Sequence, residues 1–407
     1  MTEPASSKNE FIKSYIHPPI TLETYEDYLD PKFPSCVTVL LLIIGLFGNF
    51  LSALVFNQKP MKKNSTFIYL GVLCYVDILV LFFGLGDIIL ITYFKFVIRN
   101  QSILMCRLHT FLTYSSTHLS SFIIASVSVD RAIATNFIGF AKFYCTQRTA
   151  HRIILLLCIV SVLINMHTLF FLGYHENYFL YFNSTIFMTN KTACYCASLY
   201  GTNYDKFMNP YFQWLDLIFY AILPFIVMLL STFFILRVIF MSNKRIESKL
   251  SRNSFAFLRA NGATETTSED TRPKNTLGTR LRKSFIRDKA NSGRNYNYRL
   301  NKTLHLTYTL VSINALFICL VGPLALVLIV IKGKEKVTEN KLLFNILYIL
   351  AYSNHSFNFI FYGLSSPPYR NAIKNLMHRQ GKRSNASWNT SQPNRNRSIK
   401  ANNRTDT

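Results

Sequence analysis

Long apolar runs alternate with short polar segments along most of this chain. Seven of the runs reach the roughly 20 residues that a helix needs to cross the hydrocarbon core of a bilayer. They extend from Val37 to Phe56, Phe67 to Tyr93, Arg107 to Ala134, Thr149 to Leu172, Tyr211 to Met241, Thr303 to Ile331 and Lys341 to Leu364. Such runs predict helices rather than barrel strands, because in lipid the backbone must satisfy its own hydrogen bonds. We therefore predict an all-α membrane protein, built as a seven-transmembrane helix bundle.

The third run is more polar than the others. Hydroxyl and imidazole groups are concentrated in its middle, at Thr113, Ser115, Ser116, Thr117, His118, Ser120 and Ser121. Polar side chains within a membrane span face other helices or a water-filled cavity rather than lipid. We expect this helix to lie inside the bundle.

The composition agrees with a membrane protein. The 407 residues are 50% hydrophobic and 16% charged, whereas about a quarter of the residues in a typical soluble domain are charged. The formal net charge of +24 comes from lysines and arginines in the segments between apolar runs, not from a basic face on a soluble domain. We expect contacts with membrane lipid and no nucleic-acid partner.

Basic residues also predict the orientation of the chain. The first loop carries Lys59, Lys62 and Lys63, whereas residues 1–36 hold six acidic residues and three lysines. Because lysine and arginine favour the cytoplasmic side, the N-terminus is predicted outside and, after seven crossings, the C-terminus inside. We predict a plasma-membrane protein with an extracellular tail over residues 1–36 and a bundle over residues 37–364.

Two polar segments lack apolar periodicity. Residues 242–299 and 380–407 are rich in serine, asparagine and arginine, so we predict a disordered third cytoplasmic loop and a disordered cytoplasmic tail. Glycosylation sequons at Asn100, Asn183 and Asn190 fall in predicted outside loops.

Four cysteines lie on the predicted outer side, one of them Cys36 at the top of the first helix. Cys106 is at the start of the third helix, and Cys194 and Cys196 lie in the loop between the fourth and fifth helices. Oxidising conditions outside the cell favour a disulfide from Cys106 to one of these two. The sequence does not choose between Cys194 and Cys196, and it leaves two alternatives for the other cysteine: a free thiol or a bond to Cys36.

Several short motifs occur in a fixed order along the seven spans. Gly48-Asn49 lies in the first span and Asp77 in the second, and Cys106 precedes the Asp130-Arg131 pair by about 25 residues. Pro224 follows in the fifth span, "FICLVGP" with Phe317 and Pro323 in the sixth, and "NHSFNFIFY" in the seventh. The spacing puts Cys106 and Arg131 roughly 37 Å apart at 1.5 Å per residue, at opposite membrane faces.

In this order the motifs resemble those of the rhodopsin-like (class A) G-protein-coupled receptors, and the resemblance covers all seven helices. The seventh span is most similar to that of invertebrate neuropeptide receptors of the FMRFamide-receptor type. Residues 365–379 resemble the short amphipathic eighth helix of the family, with Tyr369, Ile373 and Leu376 on one side. The chain departs from the family at Phe359, which replaces a proline, and at Ala132, Val321 and Thr232, which replace aromatic residues.

The resemblance implies a receptor that binds an extracellular ligand, activates a heterotrimeric G protein and recruits arrestin. Residues at family positions for activation and G-protein coupling are Asp130, Arg131, Phe317, Pro323, Asn358 and Tyr362. For Arg131 the alternative is a simple membrane anchor, since an arginine at a helix end can extend its charge to the lipid headgroups.

Asp77 is a carboxylate near the middle of the bilayer, where an ionised group must be satisfied. The family positions around it are Ser120, Asn354 and Asn358. Two interpretations follow: a site for a sodium ion, which prefers oxygen ligands, or a hydrogen-bonded polar core without an ion. We expect no other cofactor.

The outer half of the bundle is expected to hold the ligand. The candidate residues are Asp87, Thr113, Tyr114, Thr117, His118, Gln213, Asp216, Asn314, Tyr348 and Tyr352. Two carboxylates among aromatic side chains suit a cationic group such as arginine, so we expect a short, basic, amidated neuropeptide as ligand.

Other functions fit the sequence less well. A small-molecule chemoreceptor shares the fold and differs only in its ligand. A transporter or channel would need charged residues along a continuous path, and below Asp77 the chain offers Asp130 and Arg131 only at the inner end. We expect no enzymatic activity, because no metal-ligand or nucleophile-base spacing is present.

Overall fold

A computed structural model of the protein describes residues 35–182, 185–262, 307–329 and 341–377. The predicted extracellular tail lies outside this part of the chain except for its last residues, as do the sequon residue Asn183, the loop from residue 263 onward and the C-terminal tail.

Seven long helices make up most of the described molecule, and each overlaps one predicted span. They are α1 (Ser35–Phe56), α2 (Ser65–Phe94), α3 (Ile103–Asn136), α4 (Gln147–Asn165 continued by His167–Phe171), α5 (residues 203–262), α6 (Thr307–Ile329) and α7 (Lys341–Ser365). A shorter helix, α8, covers residues 367–377 and lies within the predicted amphipathic segment. Ile98–Asn100 forms a short turn before α3, and Ile138–Tyr144 forms a short helix after it.

Polar side chains fix where three of these helices begin. The side-chain oxygen of Asn64 accepts from the backbone N–H of Thr66, that of Ser102 from Met105, and that of Thr146 from Thr149. Each bond satisfies a backbone donor that the first helical turn leaves without a partner.

The helix α5 is irregular on the outer side and longer than predicted on the inner side. It runs through wide π-helical turns at Phe207–Phe212 and Ile218–Ile222, with a break in helical geometry at Asn209 (φ −124°, ψ 106°). From Leu223 it continues as α-helix to Gly262. The prediction of disorder from residue 242 is therefore wrong for residues 242–262, where no glycine or proline interrupts the chain until Gly262.

Helix α3 is the centre of the bundle. It packs against α2, α4 and α5, while α7 packs against α1 and α2. Ser116, His118, Ser120 and Ser121 of α3 are all buried, as the polarity of this span predicts. Five of the described helices, α1, α2, α4, α5 and α6, are long and apolar enough to span a membrane by composition alone.

A β-hairpin lies between α4 and α5. Strand β1 (Tyr174–Phe182) pairs antiparallel with β2 (Thr185–Tyr195), and Tyr174 opposes and stacks on Tyr195 with ring centroids 5.5 Å apart. The sequence analysis did not predict these strands. The signal was present, since "FLYFNSTIFM" combines β-favouring aromatic and β-branched residues with a turn-favouring Asn-Ser pair.

Candidate functional site

The outer half of the bundle contains a cavity of about 500 Å³. Of the ten residues predicted to contact ligand, seven line it: Asp87, Thr113, Tyr114, Thr117, Asp216, Tyr348 and Tyr352. These come from α2, α3, α5 and α7, so residues more than 200 positions apart in the chain share one space. A cavity of this size and mixed polarity is typical of ligand-binding sites in proteins.

Three of the ten predicted residues lie elsewhere, and for Asn314 the prediction is wrong. Asn314 precedes Pro323 by nine residues, roughly 14 Å along α6 toward the cytoplasm. There its Oδ1 accepts from Ser128 Oγ at 2.9 Å and its Nδ2 donates to Thr232 Oγ1 at 3.0 Å. His118 and Gln213 do not line the cavity either; His118 is fully buried behind Asp216, and Gln213 is exposed and bonds Asn209.

The carboxylate of Asp87 has a partner within the chain. Arg99, in the turn before α3, places Nη2 2.6 Å from Asp87 Oδ2, and His109 Nε2 lies 3.8 Å from the other oxygen. The Asp87 side chain is only 6% exposed. Arg99 was not predicted as a partner of Asp87, because a residue outside the long helices belongs to no periodic pattern that shows where its side chain points.

The carboxylate of Asp216 is more accessible, with 32% of its side chain exposed. Behind it, His118 Nε2 lies 3.2 Å from Oδ1. Asn165 Nδ2 lies 2.9 Å from the other ring nitrogen of His118 and also donates to Ser161 O. Because an amide nitrogen only donates, Nδ1 of His118 accepts, and a neutral imidazole then carries its hydrogen on Nε2, on the side of Asp216.

A disulfide joins Cys106 at the start of α3 to Cys196 just after β2. This resolves the alternative that the sequence left open, and Cys194 is a free thiol. Burial raises the pKa of the Cys194 thiol, which makes its reactive thiolate scarcer. The bridge ties the hairpin to the outer end of α3, next to the cavity.

Asp77 lies at the centre of the bundle and is fully buried. Its Oδ1 accepts from Ser120 Oγ at 2.7 Å and from His355 Nδ1 at 2.7 Å, and its Oδ2 accepts from Asn358 Nδ2 at 2.9 Å. The structure therefore brings Ser120 and Asn358 to Asp77 as predicted. Asn354 makes no hydrogen bond to it, and His355, which the sequence analysis did not single out, takes part instead. Helical spacing could have identified His355, since it lies one turn before Asn358.

The Asp130-Arg131 pair forms a buried ion pair at the inner end of α3. Arg131 Nη2 lies 2.8 Å from Asp130 Oδ2, and the two side chains are 7% and 6% exposed. Asp130 also accepts from the hydroxyls of Ser65 and Thr66 at the start of α2, each at 2.8 Å. Arg131 is thus held by an acid that is itself fixed to a neighbouring helix, which a simple membrane anchor does not require.

The remaining predicted activation residues lie in the core between the cavity and this pair. Phe317 of α6 is buried and meets Phe225 edge-on, with ring centroids 5.3 Å apart, and Pro323 lies six residues further out along α6. Tyr362 of α7 is buried between the rings of Phe56 and Tyr369. The Ser128–Asn314–Thr232 chain of hydrogen bonds joins α3, α6 and α5 in the same inner half.

A second cavity, of about 300 Å³, lies between α3, α4 and α5 beside Asp130. Its lining is mostly aliphatic and aromatic and lacks the converging charged groups of the outer cavity. Among the residues that the structure describes, no cluster of three or more histidine, cysteine or acidic side chains could hold a metal ion.

Comparison with known proteins gives the family. The family model "7 transmembrane receptor (rhodopsin family)" matches residues 48–362. The chain is also similar to the growth hormone secretagogue receptor type 1 of Mus musculus, with 27% identity over 146 residues, and of Mustela putorius furo, with 27% identity over 150 residues. These matches cover 34% and 35% of this chain and 40% of each relative. The chain therefore belongs to the rhodopsin family of seven-transmembrane receptors, which signal through G proteins and are not enzymes.

Proposed function

We propose that this receptor binds a short, basic, amidated peptide in its outer cavity and in response activates a heterotrimeric G protein. The observation that carries the proposal is the accessible carboxylate of Asp216 in a cavity of about 500 Å³ ringed by Tyr114, Tyr348 and Tyr352. A carboxylate and tyrosine faces together suit a guanidinium or ammonium group, through charge-assisted hydrogen bonds and cation–π contacts.

The two acids of the cavity have different roles in this proposal. Arg99 already neutralises Asp87 at 2.6 Å, so a cationic ligand group would have to displace a paired arginine to reach it. Among the residues that the structure describes, the ion-pair partner of Asp216 is His118, and that imidazole supplies a polar N–H rather than a compensating arginine. We therefore assign the ligand's basic group to Asp216 and a mainly structural role to Asp87.

The amidated peptide rests on the similarity of "NFIFYGLSSPPYR" in the seventh helix to neuropeptide receptors of the FMRFamide-receptor type. The matched relatives are named as receptors for growth hormone secretagogues, which supports a signalling molecule as ligand. They share only part of their length with this chain, so their ligand is not carried over.

Coupling to the G protein would proceed through the inner half of the bundle. A ligand shifts the equilibrium between resting and active bundles only by its differential affinity for the two. In the structure Arg131 is paired with Asp130, and α3, α5 and α6 are joined through Asn314, an arrangement that we assign to the resting receptor. Outward movement of the inner end of α6, hinged near Pro323, would break the Asn314 bonds and open a cleft beneath Arg131.

The test is a library of short amidated peptides, applied to cells that express the full-length receptor with a broadly coupling G protein. We expect activation by peptides with arginine or lysine, and weaker or no activation when that residue is replaced by glutamine. Asp216→Asn should lower potency by roughly tenfold to a hundredfold, the effect of losing a hydrogen-bonded charge pair worth about 1.4 to 3 kcal/mol.

Two further variants test whether the loss of peptide potency is specific to the carboxylate of Asp216. Glu176→Gln removes an exposed acid of strand β1 that does not line the cavity, and it should change potency little. Asp87→Asn should lower receptor stability more than peptide potency at the surviving receptors. Activation by uncharged small molecules, with Asp216→Asn unchanged, would favour the chemoreceptor alternative and contradict the peptide proposal.

A further inference from the structure

The buried carboxylate of Asp77 is surrounded by hydrogen-bond donors. Ser120 Oγ and His355 Nδ1 both approach Oδ1 at 2.7 Å, and Asn358 presents its amide NH₂ to Oδ2 at 2.9 Å. Asp77 and His355 are 0% and 1% exposed. Hydroxyl, imidazole and amide hydrogens therefore occupy the directions from which a cation would bind the carboxylate.

This arrangement does not fit a sodium ion. A hard cation needs several oxygen ligands arranged around one point. Of the oxygens expected from the sequence, that of Asn354 is not bonded to this group, and Asn358 turns its nitrogen to Asp77. Ser120 Oγ donates its hydrogen to Asp77 Oδ1, and His355 Nδ1 lies 3.4 Å from the same Ser120 oxygen. The imidazole nitrogen thus lies within 3.4 Å of both the carboxylate oxygen and the hydroxyl oxygen that would have to share the ion.

His355 is held in this position from several sides. Its backbone carbonyl accepts from Asn49 Nδ2 of α1 at 2.8 Å. Its ring reaches Asp77 of α2 and lies beside Ser120 of α3, while its own helix is α7. His355 therefore connects α7 with α1, α2 and α3 at the level of the bundle where a bound sodium ion would connect helices.

We propose that the His355 imidazole takes the position at Asp77 that the resemblance assigns to sodium, so that this receptor lacks allosteric regulation by sodium. The group that stabilises the resting core is then part of the chain and does not dissociate. Sodium concentration cannot shift the resting equilibrium, because an ion that binds neither state stabilises neither. The inference does not depend on which ligand the receptor binds.

The test measures the thermal unfolding of the purified full-length receptor in sodium chloride and in choline chloride at equal ionic strength. For the wild type we expect the same Tm in both salts. His355→Ser replaces the imidazole with a small oxygen ligand, and we expect its Tm in sodium to rise a few degrees above that in choline. Adding Asp77→Asn to His355→Ser should abolish this sodium effect.

His109→Ser is the matched control, because it removes another buried histidine, at the outer end of α3, and should gain no sodium response. His355→Asn provides a second oxygen ligand if His355→Ser is poorly folded. Variants too unstable to purify are tested in membranes, by basal nucleotide exchange on the G protein in the same two salts.

Two results would overturn the proposal. One is a sodium-specific rise in the wild-type Tm that Asp77→Asn removes, since the ion would then bind despite His355. The other is the absence of any sodium response in the His355 variants, by either assay, since the imidazole would then not be what excludes the ion.

Discussion

In the inner half of the bundle, Arg131 is paired with an acid that other polar side chains hold in place. Asp130 holds Arg131, but Asp130 is in turn held by Ser65 and Thr66 at the start of α2. The sequence contains no acid at the inner end of α6 that could form a second lock of the kind some family members have. The two hydroxyls are therefore expected to carry a large share of the resting-state stability at this position.

Replacing both hydroxyls, with Ser65→Ala and Thr66→Val, should raise ligand-independent signalling. A hydrogen bond to a charged group contributes about 1.5 to 3 kcal/mol, so losing two of them should increase the active fraction tenfold or more. Basal second-messenger production, normalised to receptor number at the cell surface, measures this. Ser312→Ala is the control, because its hydroxyl bonds the carbonyl of Tyr308 in its own helix. Unchanged basal signalling in the double variant would show that the hydrogen bonds of Ser65 and Thr66 to Asp130 do not restrain activation.

For single residues, the sequence predicted which side chains form the polar sites better than it predicted which side chains contact each other. Asp77, Asp130 and Arg131 were recognised by their order and spacing, and Ser120 and Asn358 by family position. Arg99 beside Asp87 and Ser65 beside Asp130 were not predicted, because each contact depends on how two segments fold against each other. Asn314 was placed on the wrong side of Pro323, although counting residues from that proline would have put it near the cytoplasm.

Among the described elements, the hairpin between α4 and α5 is one that the apolar pattern did not reveal. It is fixed to α3 at one point by the Cys106–Cys196 bond. Close packing reinforces the attachment, since Gly173 (φ 83°) comes so near Cys106 that a Cβ there would lie 3.2 Å from its Sγ. The apolar pattern did not predict the strands, because at 9 and 11 residues they are shorter than a membrane-spanning helix and pair with each other in a two-stranded sheet.

The two neighbouring cysteines should respond very differently to substitution. Cys196→Ala breaks the bond to α3 and should reduce stability by about 2 to 5 kcal/mol, with a clear loss of surface expression. Cys194→Ala removes only a free thiol, and its Tm should stay close to that of the wild type. Thermal unfolding and surface labelling of both variants measure this difference. Equal losses of Tm and surface expression in the two variants would show that Cys194 and Cys196 can exchange as partners of Cys106.

At the level of the whole molecule, the packing of the first helix against the seventh depends on a close approach between α1 and α7. Gly48 of α1 lies so near the ring of Phe359 in α7 that any Cβ at position 48 would overlap it. Phe359 occupies the position where the family has a proline. Its large ring fits there because Gly48, opposite it in α1, has no side chain. The sequence predicted seven helices and their order, but not this contact, which depends on the rotation of α1 against α7.

Gly48→Ala should therefore destabilise the receptor by about 1 to 3 kcal/mol through overpacking. In a Phe359→Ala background the same substitution should cost much less, because the space that the ring filled is empty. A double-mutant cycle on Tm gives the coupling between the two positions. Additive effects would show that Gly48 and Phe359 do not constrain each other.

The limited size of the outer cavity sets how much of a peptide the helices could surround. A space of about 500 Å³ holds only a few amino-acid residues, so a longer ligand would insert one end and leave the rest on the hairpin and the outer loops. Truncation from the other end would then weaken binding while preserving maximal response. A fragment of a few residues that still reaches Asp216 would be the smallest complete agonist.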